Sequence, residues 1–176
     1  MADARIHRAK EPGTTRIEEI DILWMTAGLG CDGDTIAITA ATQPSLEDIV
    51  TGALPWIPKV QFYNPFLAYE NGDDFLRPFR AAADGKSEEP FILVVEGSIP
   101  NEENKTEGYW ASCGTDARTG QPITTCEWID RLAPKGWAVI ATGTCATYGE
   151  STLWRGIPRA AWDCPTTSAP VGPALC

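Results

Sequence analysis

Four apolar runs separated by more polar segments dominate the pattern of this chain. Continuous runs of this length are typical of strands that are buried on both faces. The segments between the first three runs carry helical spacing, and a polar loop from residue 98 to about residue 121 precedes the last helical segment. The predicted strands are Ile20–Thr26, Val60–Tyr63, Phe91–Val95 and Trp137–Thr142.

The predicted helices begin and end at recognisable capping residues. They cover residues 35–41, 46–54, 73–83 and about 125–132. Ser45 is a good N-cap for the second helix, and Asp48 stands at the capping-box position. Thr124 or Thr125 is predicted to cap the fourth helix, and Gly85 to end the third.

Strands that alternate with helices predict βαβ units and a parallel sheet with helices on both faces. In such α/β sheets, ligands bind outside the carboxyl ends of the strands. Three of the predicted strands run into segments that carry cysteine or acidic side chains. This topology therefore places Cys31, Asp34, Glu96 and Cys145 near one crevice, although they are far apart in sequence.

Composition and charge narrow the class of protein. The chain has 176 residues, which suits one domain, and a net charge of -10. That charge argues against nucleic acid or an anionic membrane as the main partner. No apolar run approaches the ~20 residues that a membrane span needs. Because residues 1–19 lack an apolar signal segment, a cytoplasmic location is expected.

The residues alone leave three kinds of ligand open for the crevice. The glycine-rich turn after the first strand could hold a phosphate, but it lacks a GxGxxG pattern and a P-loop lysine. A flavin mononucleotide site is a second possibility, and a metal or iron–sulfur site is the third. The six cysteines include no Cys-x-x-Cys pair, which argues against a zinc finger. The single histidine, His7, lies outside the predicted crevice, which argues against histidine ligation.

Three motifs resemble those of nickel–iron hydrogenase small subunits, in the same order and at similar separations from about residue 19 to residue 149. The motifs are Trp24-Met25-Thr26-Ala27-Gly28-Leu29-Gly30-Cys31-Asp32-Gly33-Asp34, Glu96-Gly97-Ser98-Ile99-Pro100 and Gly143-Thr144-Cys145-Ala146-Thr147-Tyr148-Gly149. The resemblance implies a flavodoxin-like domain that binds the proximal 4Fe–4S cluster. It also implies a partner, the large subunit, which carries the nickel–iron site, so the chain alone would not be an active enzyme.

The resemblance also implies a set of cluster ligands. Where the family usually has Cys-x-Gly-Cys, this chain has Cys31-Asp32-Gly33-Asp34, which resembles the actinobacterial-type uptake hydrogenases. By that likeness Cys31, Asp34 and Cys145 are three of the four proximal ligands, and Glu96 lies near the cluster. The fourth family ligand lies in a Pro-Gly-Cys-Pro segment, which this sequence does not contain.

Less specific interpretations of the same residues stand beside this one. Asp34 could be only the N-cap of the next helix, and Glu96 could be a solvated strand end. Cys113 and Cys126 are interpreted as structural or free thiols. A related hypothesis is the iron–sulfur subunit of respiratory complex I, but that subunit has an adjacent Cys-Cys pair, which is missing here. An iron-free flavodoxin-like binding module and a non-functional truncated product are further alternatives.

The domain boundaries follow from the same reasoning. Residues 1–18 are predicted to be a flexible arm, residues 19–149 the cluster domain, and residues 150–176 an aberrant tail. Codons for this tail, read one frame over, permit a family-like continuation with Gly-Cys-Met-Gly-Leu-Pro. We therefore expect out-of-frame translation after about residue 149, so that Cys164 and Cys176 are not ligands. Resequencing of the locus tests this expectation.

Overall fold

The computed structural model describes residues 16–26, 30–64, 73–100, 102, 107–148 and 161–162. Most of the predicted arm and most of the predicted tail therefore lie outside the described residues. Among the described residues, no helix is long and apolar enough to cross a membrane.

A four-stranded parallel sheet forms the centre of the fold. Its strands are β1 (Glu19–Thr26), β2 (Lys59–Tyr63), β3 (Phe91–Glu96) and β7 (Ala138–Thr142). The four predicted apolar runs form these strands, and their ends differ from the prediction by one residue. The strands lie in the order β2-β1-β3-β7. Numbered within this sheet alone, the order is 2-1-3-4, which matches the start of the flavodoxin-like order.

The helices within the described residues are α1 (Gly33–Ala37), α2 (Leu46–Val50), α3 (Asp73–Ala83), α4 (Thr125–Leu132) and α5 (Gly143–Tyr148). A 3-10 turn, Ile38–Ala40, follows α1. The predicted caps are confirmed, since Ser45 and Asp48 form a capping box on α2 and Thr124 accepts from the backbone of Glu127 on α4. The α2 helix ends at Val50, four residues before the predicted end, because Thr51 and Gly52 form a turn there.

The core lies between one face of the sheet and the helices α3 and α4. Alternate residues of β1 and β3, such as Leu23 and Leu93, face it. The α3 helix continues through Pro78, because its apolar face is buried against the core. The rings of Phe79 and Trp128 meet edge to face with centroids 6.0 Å apart, which joins α3 to α4.

The predicted polar loop over residues 98–121 is wrong in part, because it contains short strands. They are β4 (Ile99–Pro100) and β5 (Ser112–Thr115), which pairs with β6 (Pro122–Thr124) in an antiparallel hairpin. The backbone of β8 (Ala161–Trp162) pairs with β4. The pattern of the sequence did not indicate the hairpin, because its strands are short and carry polar or small residues instead of alternating apolar ones.

Candidate functional site

The carboxyl ends of β1, β3 and β7 meet at one edge of the sheet, as the topology predicted. Their last residues, Thr26, Glu96 and Thr142, lie side by side in register. This edge includes the topological switch point between β1 and β3, where ligands bind in flavodoxin-like sheets. Each of the three sequence motifs continues from one of these strand ends.

The first motif turns sharply before α1 begins. Cys31 is exposed, and Asp32, with φ of 56°, occupies the N-cap position in the left-handed conformation. Asp34 is the second residue of α1 and not its N-cap, so the interpretation of Asp34 as a simple helix cap is wrong. A Cβ atom placed on Gly33 would lie 3.2 Å from Sγ of Cys31, which shows how closely the cysteine folds back on the start of the helix.

Glu96 is buried, so the interpretation of it as a solvated strand end is also wrong. Its side chain is 2% exposed, and its carboxylate accepts from four donors. The indole N–H of Trp24 donates to Oε2 at 3.1 Å, and the backbone N–H groups of Asp34 and Thr35 donate at 2.9 Å and 3.0 Å. The hydroxyl of Thr35 donates to the same carboxylate. Glu96 therefore joins the end of β3 to the start of α1.

The Asp34 carboxylate reaches across the end of β3 to the start of α5. A Cβ atom on Gly143 would lie 2.0 Å from Oδ2 of Asp34, so any side chain at this position would displace the carboxylate. Gly143 also has φ of 78°, a conformation that side chains strongly disfavour. Gly143 is the first residue of α5 and stands two positions before Cys145. The contact therefore places the Asp34 carboxylate close to the segment that carries Cys145.

Cys145 is held at this edge from the β3 side. Ser98 is fully buried, and its hydroxyl donates to the backbone carbonyl of Cys145 at 3.2 Å. The thiol-bearing residue itself is half-buried. The structure thus brings the segments of the predicted site residues together. Asp34 contacts the start of the Cys145 helix, and Glu96 binds the Asp34 segment. Cys31 lies against Gly33 at the start of α1.

The two thiols at this edge are donors of the kind that hold iron–sulfur clusters. Among the described residues, no three His, Cys, Asp or Glu side chains converge closely enough to hold one ion. Thr26 Oγ1 at the end of β1 is buried and has no hydrogen-bond partner within the described part of the chain, a polar atom directed at this edge.

Sequence reasoning gave no role to three residues that shape the site. Trp24, Ser98 and Gly143 stand inside the three motifs, but their contacts run between segments that are far apart in the chain. The signals were present in outline. A buried tryptophan needs an acceptor for its N–H, and a glycine directly after a strand is typical of a close backbone approach.

Two of the remaining cysteines do not join the site. Cys113 and Cys126 are buried in the core, and burial raises the pKa of the Cys113 thiol. Cys126 donates to the carbonyl of Pro100 at 3.2 Å. Their interpretation as structural thiols is consistent with these positions. Cys164 and Cys176 lie outside the described residues.

A cavity of about 470 Å³ lies away from the site, between α3, α4 and the turn of the β5–β6 hairpin. The charged groups that line it are engaged with one another. Arg131 donates to Asp116 at 2.5 Å and also to Glu127. The Asp116 carboxylate further accepts from the backbone N–H groups of Arg118 and Thr119. This cluster stabilises the hairpin turn.

Comparison with known proteins points to one family. The profile of the family described as "NADH ubiquinone oxidoreductase, 20 Kd subunit" matches residues 31–171. The chain is 31% identical over 150 residues to the periplasmic NiFeSe hydrogenase small subunit of Desulfomicrobium baculatum, covering 84% of this chain and 42% of that protein. It is 28% identical over 121 residues to the periplasmic NiFe hydrogenase small subunit 1 of Nitratidesulfovibrio vulgaris, covering 68% of this chain and 32% of that protein.

Solved structures agree with this relationship. A chain of the actinobacterial-type NiFe-hydrogenase from Ralstonia eutropha H16 is 58% identical, with a TM-score of 0.75, and the match covers 84% of this chain and 42% of that chain. A chain of the Ni-Fe-Se hydrogenase from Desulfomicrobium baculatum is 25% identical with a TM-score of 0.64, over 84% of this chain and 50% of that one. The chain thus spans less than half the length of the curated relatives it matches.

Proposed function

Because the chain belongs to the family of nickel–iron hydrogenase small subunits, within the wider family named after the NADH ubiquinone oxidoreductase 20 Kd subunit, we propose that it is an electron-transfer segment of an H2-oxidising hydrogenase. In this proposal it holds the proximal 4Fe–4S cluster. The cluster, when bound, supplies one-electron transfer between the nickel–iron site of a large subunit and later acceptors.

The observation that carries the proposal is the meeting of three strand ends at one edge. Cys31 and Asp34 follow β1, Cys145 follows β7, and β3 between them joins both segments through Glu96 and Ser98. Two thiol-bearing residues and one carboxylate thereby follow strand ends at the same edge of the sheet. Thiolates are the usual protein ligands of iron–sulfur clusters.

The three donors differ in what they would contribute. Cys31 and Cys145 would bind iron through thiolate sulfur. Asp34 would bind through a carboxylate oxygen, which is a harder and more weakly covalent ligand than a thiolate. Its position against the backbone of Gly143 holds the carboxylate at the edge, where Asp34 is partly buried. The fourth ligand of the proposed cluster is not among these residues.

Anaerobic reconstitution of the chain with iron and sulfide tests the proposal. We expect iron and sulfide to be incorporated with the visible absorbance of an iron–sulfur cluster. The variants Cys31→Ser and Cys145→Ser should each lower the bound iron strongly, whereas Cys113→Ser, at a buried cysteine outside the site, should not. A wild-type chain that stays colourless and iron-free would instead favour the iron-free binding module.

The proposed partner is a large subunit that carries the nickel–iron site. Co-expression of this chain with the large subunit encoded nearest to it, followed by size-exclusion chromatography, tests the pairing. Co-elution in a defined ratio would support a hydrogenase complex. Separate elution of two folded proteins would contradict the proposed partner and leave the cluster proposal to its own test.

A second candidate is an iron–sulfur subunit of a respiratory NADH dehydrogenase, because the matching family profile carries that name. The sequence lacks the adjacent cysteine pair of those subunits, and the 58% identity to the Ralstonia eutropha hydrogenase favours the first proposal. The profile match extends to residue 171, across most of the segment proposed to be out of frame. The reading frame of residues 150–176 therefore remains a proposal for resequencing.

A further inference from the structure

We infer that Glu96 and Ser98 are positioning residues: from the end of β3 they hold the Cys31–Asp34 and Cys145 segments in place before any cluster binds, and neither is an iron ligand. This inference rests on the proposed function for the identity of the donors. The segment from Glu96 to Ser98 is called the β3 turn below. The Glu96 side chain binds the segment that follows β1, and the Ser98 side chain binds the segment that follows β7.

The carboxylate of Glu96 already accepts four hydrogen bonds from residues of this chain. Oε1 accepts from the backbone N–H of Asp34, and Oε2 accepts from the backbone N–H and hydroxyl of Thr35 and from the indole of Trp24. A buried charge is tolerated only when hydrogen bonds replace its water. Rotation of the carboxylate toward an iron atom would disturb these charge-assisted bonds, which are the strong ones. The structure therefore favours a holding role for Glu96.

Glu96 also supplies the cap that α1 lacks. The N-cap residue, Asp32, makes no side-chain capping bond. The amides of Asp34 and Thr35, at the second and third helical positions, donate to Glu96 instead. A side chain from another strand thus satisfies the N–H groups that the first turn of a helix leaves open. The orientation of Asp34 consequently depends on a residue 62 positions away.

Trp24 fixes the carboxylate from the side of β1. Its indole N–H donates to Oε2, and the side chain is 8% exposed, so no water competes freely for this bond. Trp24 and Glu96 lie on adjacent parallel strands, which limits how the carboxylate can turn. The donor from a rigid core strand therefore prepares Glu96 to receive the amides of α1.

Ser98 performs the matching task on the other side of β3. Its side chain is fully buried, and its hydroxyl donates to the carbonyl of Cys145. That carbonyl belongs to Cys145 itself, so the hydrogen bond fixes the backbone of the residue that carries the thiol. Together with the contact between Asp34 and Gly143, these bonds close a loop of contacts around the edge.

Hydrogen exchange in the apo chain tests the inference without a cluster. In Glu96→Gln, one oxygen becomes an NH2 donor that faces existing donors. We expect the amides of Asp34 and Thr35 and the indole of Trp24 to exchange about ten- to a hundredfold faster, as loss of charge-assisted bonds implies. Unchanged exchange at all three groups would overturn the inference, whatever the cluster result.

Glu102→Gln is the matched control. Glu102 likewise accepts two backbone N–H groups, those of Trp110 and Ala111, at 3.0 Å and 3.1 Å. This variant should accelerate exchange at Trp110 and Ala111 and leave Asp34 and Thr35 protected. If both variants accelerate exchange everywhere, the effect is global unfolding and the specific role of Glu96 is refuted.

Ser98→Ala tests the other end of the β3 turn and remains informative if Glu96→Gln does not fold. In the apo chain, alkylation of the Cys145 thiol should become severalfold faster while alkylation of the exposed Cys31 stays unchanged. Equal rates at Cys145 in the wild type and the variant would contradict the role of Ser98.

The reconstituted protein separates holding from ligation. If Glu96 holds the loop, Glu96→Gln should bind less iron, its cluster should give a broadened electron paramagnetic resonance spectrum, and Glu96→Asp should partly restore both properties. If Glu96→Gln loses iron while its apo exchange stays normal, Glu96 acts on the cluster directly and the inference fails. Failure of the wild type to bind iron refutes the proposed function, but the exchange result still decides the inference.

Discussion

The contact between Asp34 and Gly143 gives a quantitative prediction for Gly143→Ala. The new Cβ would lie 2.0 Å from Oδ2 of Asp34, a separation that real side chains do not show. Two costs follow. Alanine in the left-handed conformation costs about 1–2 kcal/mol, and forcing extra volume into an occupied site costs typically about 1–3 kcal/mol.

Gly85→Ala separates these two costs. Gly85 has φ of 70°, close to the 78° of Gly143, but a Cβ atom added there would have no neighbouring atom within 4 Å. It should therefore lose only the backbone contribution, about 1–2 kcal/mol. Gly143→Ala should lose about 2–5 kcal/mol in total, from the two contributions together.

Urea unfolding of the full chain measures the difference between the two variants. We expect Gly143→Ala to be less stable than Gly85→Ala by about 1–3 kcal/mol, the part that comes from displacing Asp34. The double variant that combines Gly143→Ala with Asp34→Ala lacks the obstructing carboxylate. It should recover most of that difference, because the stability changes of residues in contact do not add. Equal stability of the two single variants would refute the placement of Asp34 against Gly143.

Three further predictions concern charge. Desolvation by burial raises the pKa of Asp21 to about 6, so the folded chain binds this proton more tightly than the unfolded chain. The free energy of unfolding should therefore fall as the pH rises from about 4 to 6. Asp21→Asn should flatten that part of the pH dependence measured by urea unfolding. The hydrogen bond from Arg131 lowers the pKa of Asp116, so its contribution is present above about pH 4 and lost on further acidification; Asp116→Asn should remove that loss in acid-unfolding curves. In a full-length homologous hydrogenase, Asp34→Ala should lower cluster occupancy whereas Asp34→Cys should retain the cluster and change its potential; unchanged iron content and potential in Asp34→Ala would contradict ligation.

The sheet was predictable because its strands are continuous apolar runs, a pattern typical of parallel sheets. Burial of both faces is seen in β3 but not in β2 or β7. The runs at β1 and β3 register side by side, so that Trp24 and Val94 lie opposite each other. The caps at Ser45 and Thr124 were predictable because capping is local, with partners three residues away. These elements depend on interactions within one segment or on hydrophobicity alone.

The bonds that hold the site could not be predicted in the same way. The hydrogen bonds of Glu96 join residues 61 to 72 positions apart, and no local pattern encodes them. The position of Asp34 in the sequence is compatible with a cap on α1, but the turn at Asp32 places it inside the helix. The sheet topology correctly brought the motifs to one edge, whereas the partners of individual polar atoms required the structure.

The physical reason for a buried charge at Glu96 lies in the composition of the α1 helix, whose amides it binds. The α1 helix buries none of its side chains, and its one large apolar residue, Ile36, is 65% exposed. The hydrophobic effect therefore contributes little to the position of this helix. Directional bonds to a carboxylate on a core strand can fix it instead, and such bonds strengthen when they are shielded from water. A segment that presents Cys31 and Asp34 at an open edge can in this way remain polar and still be held in one position.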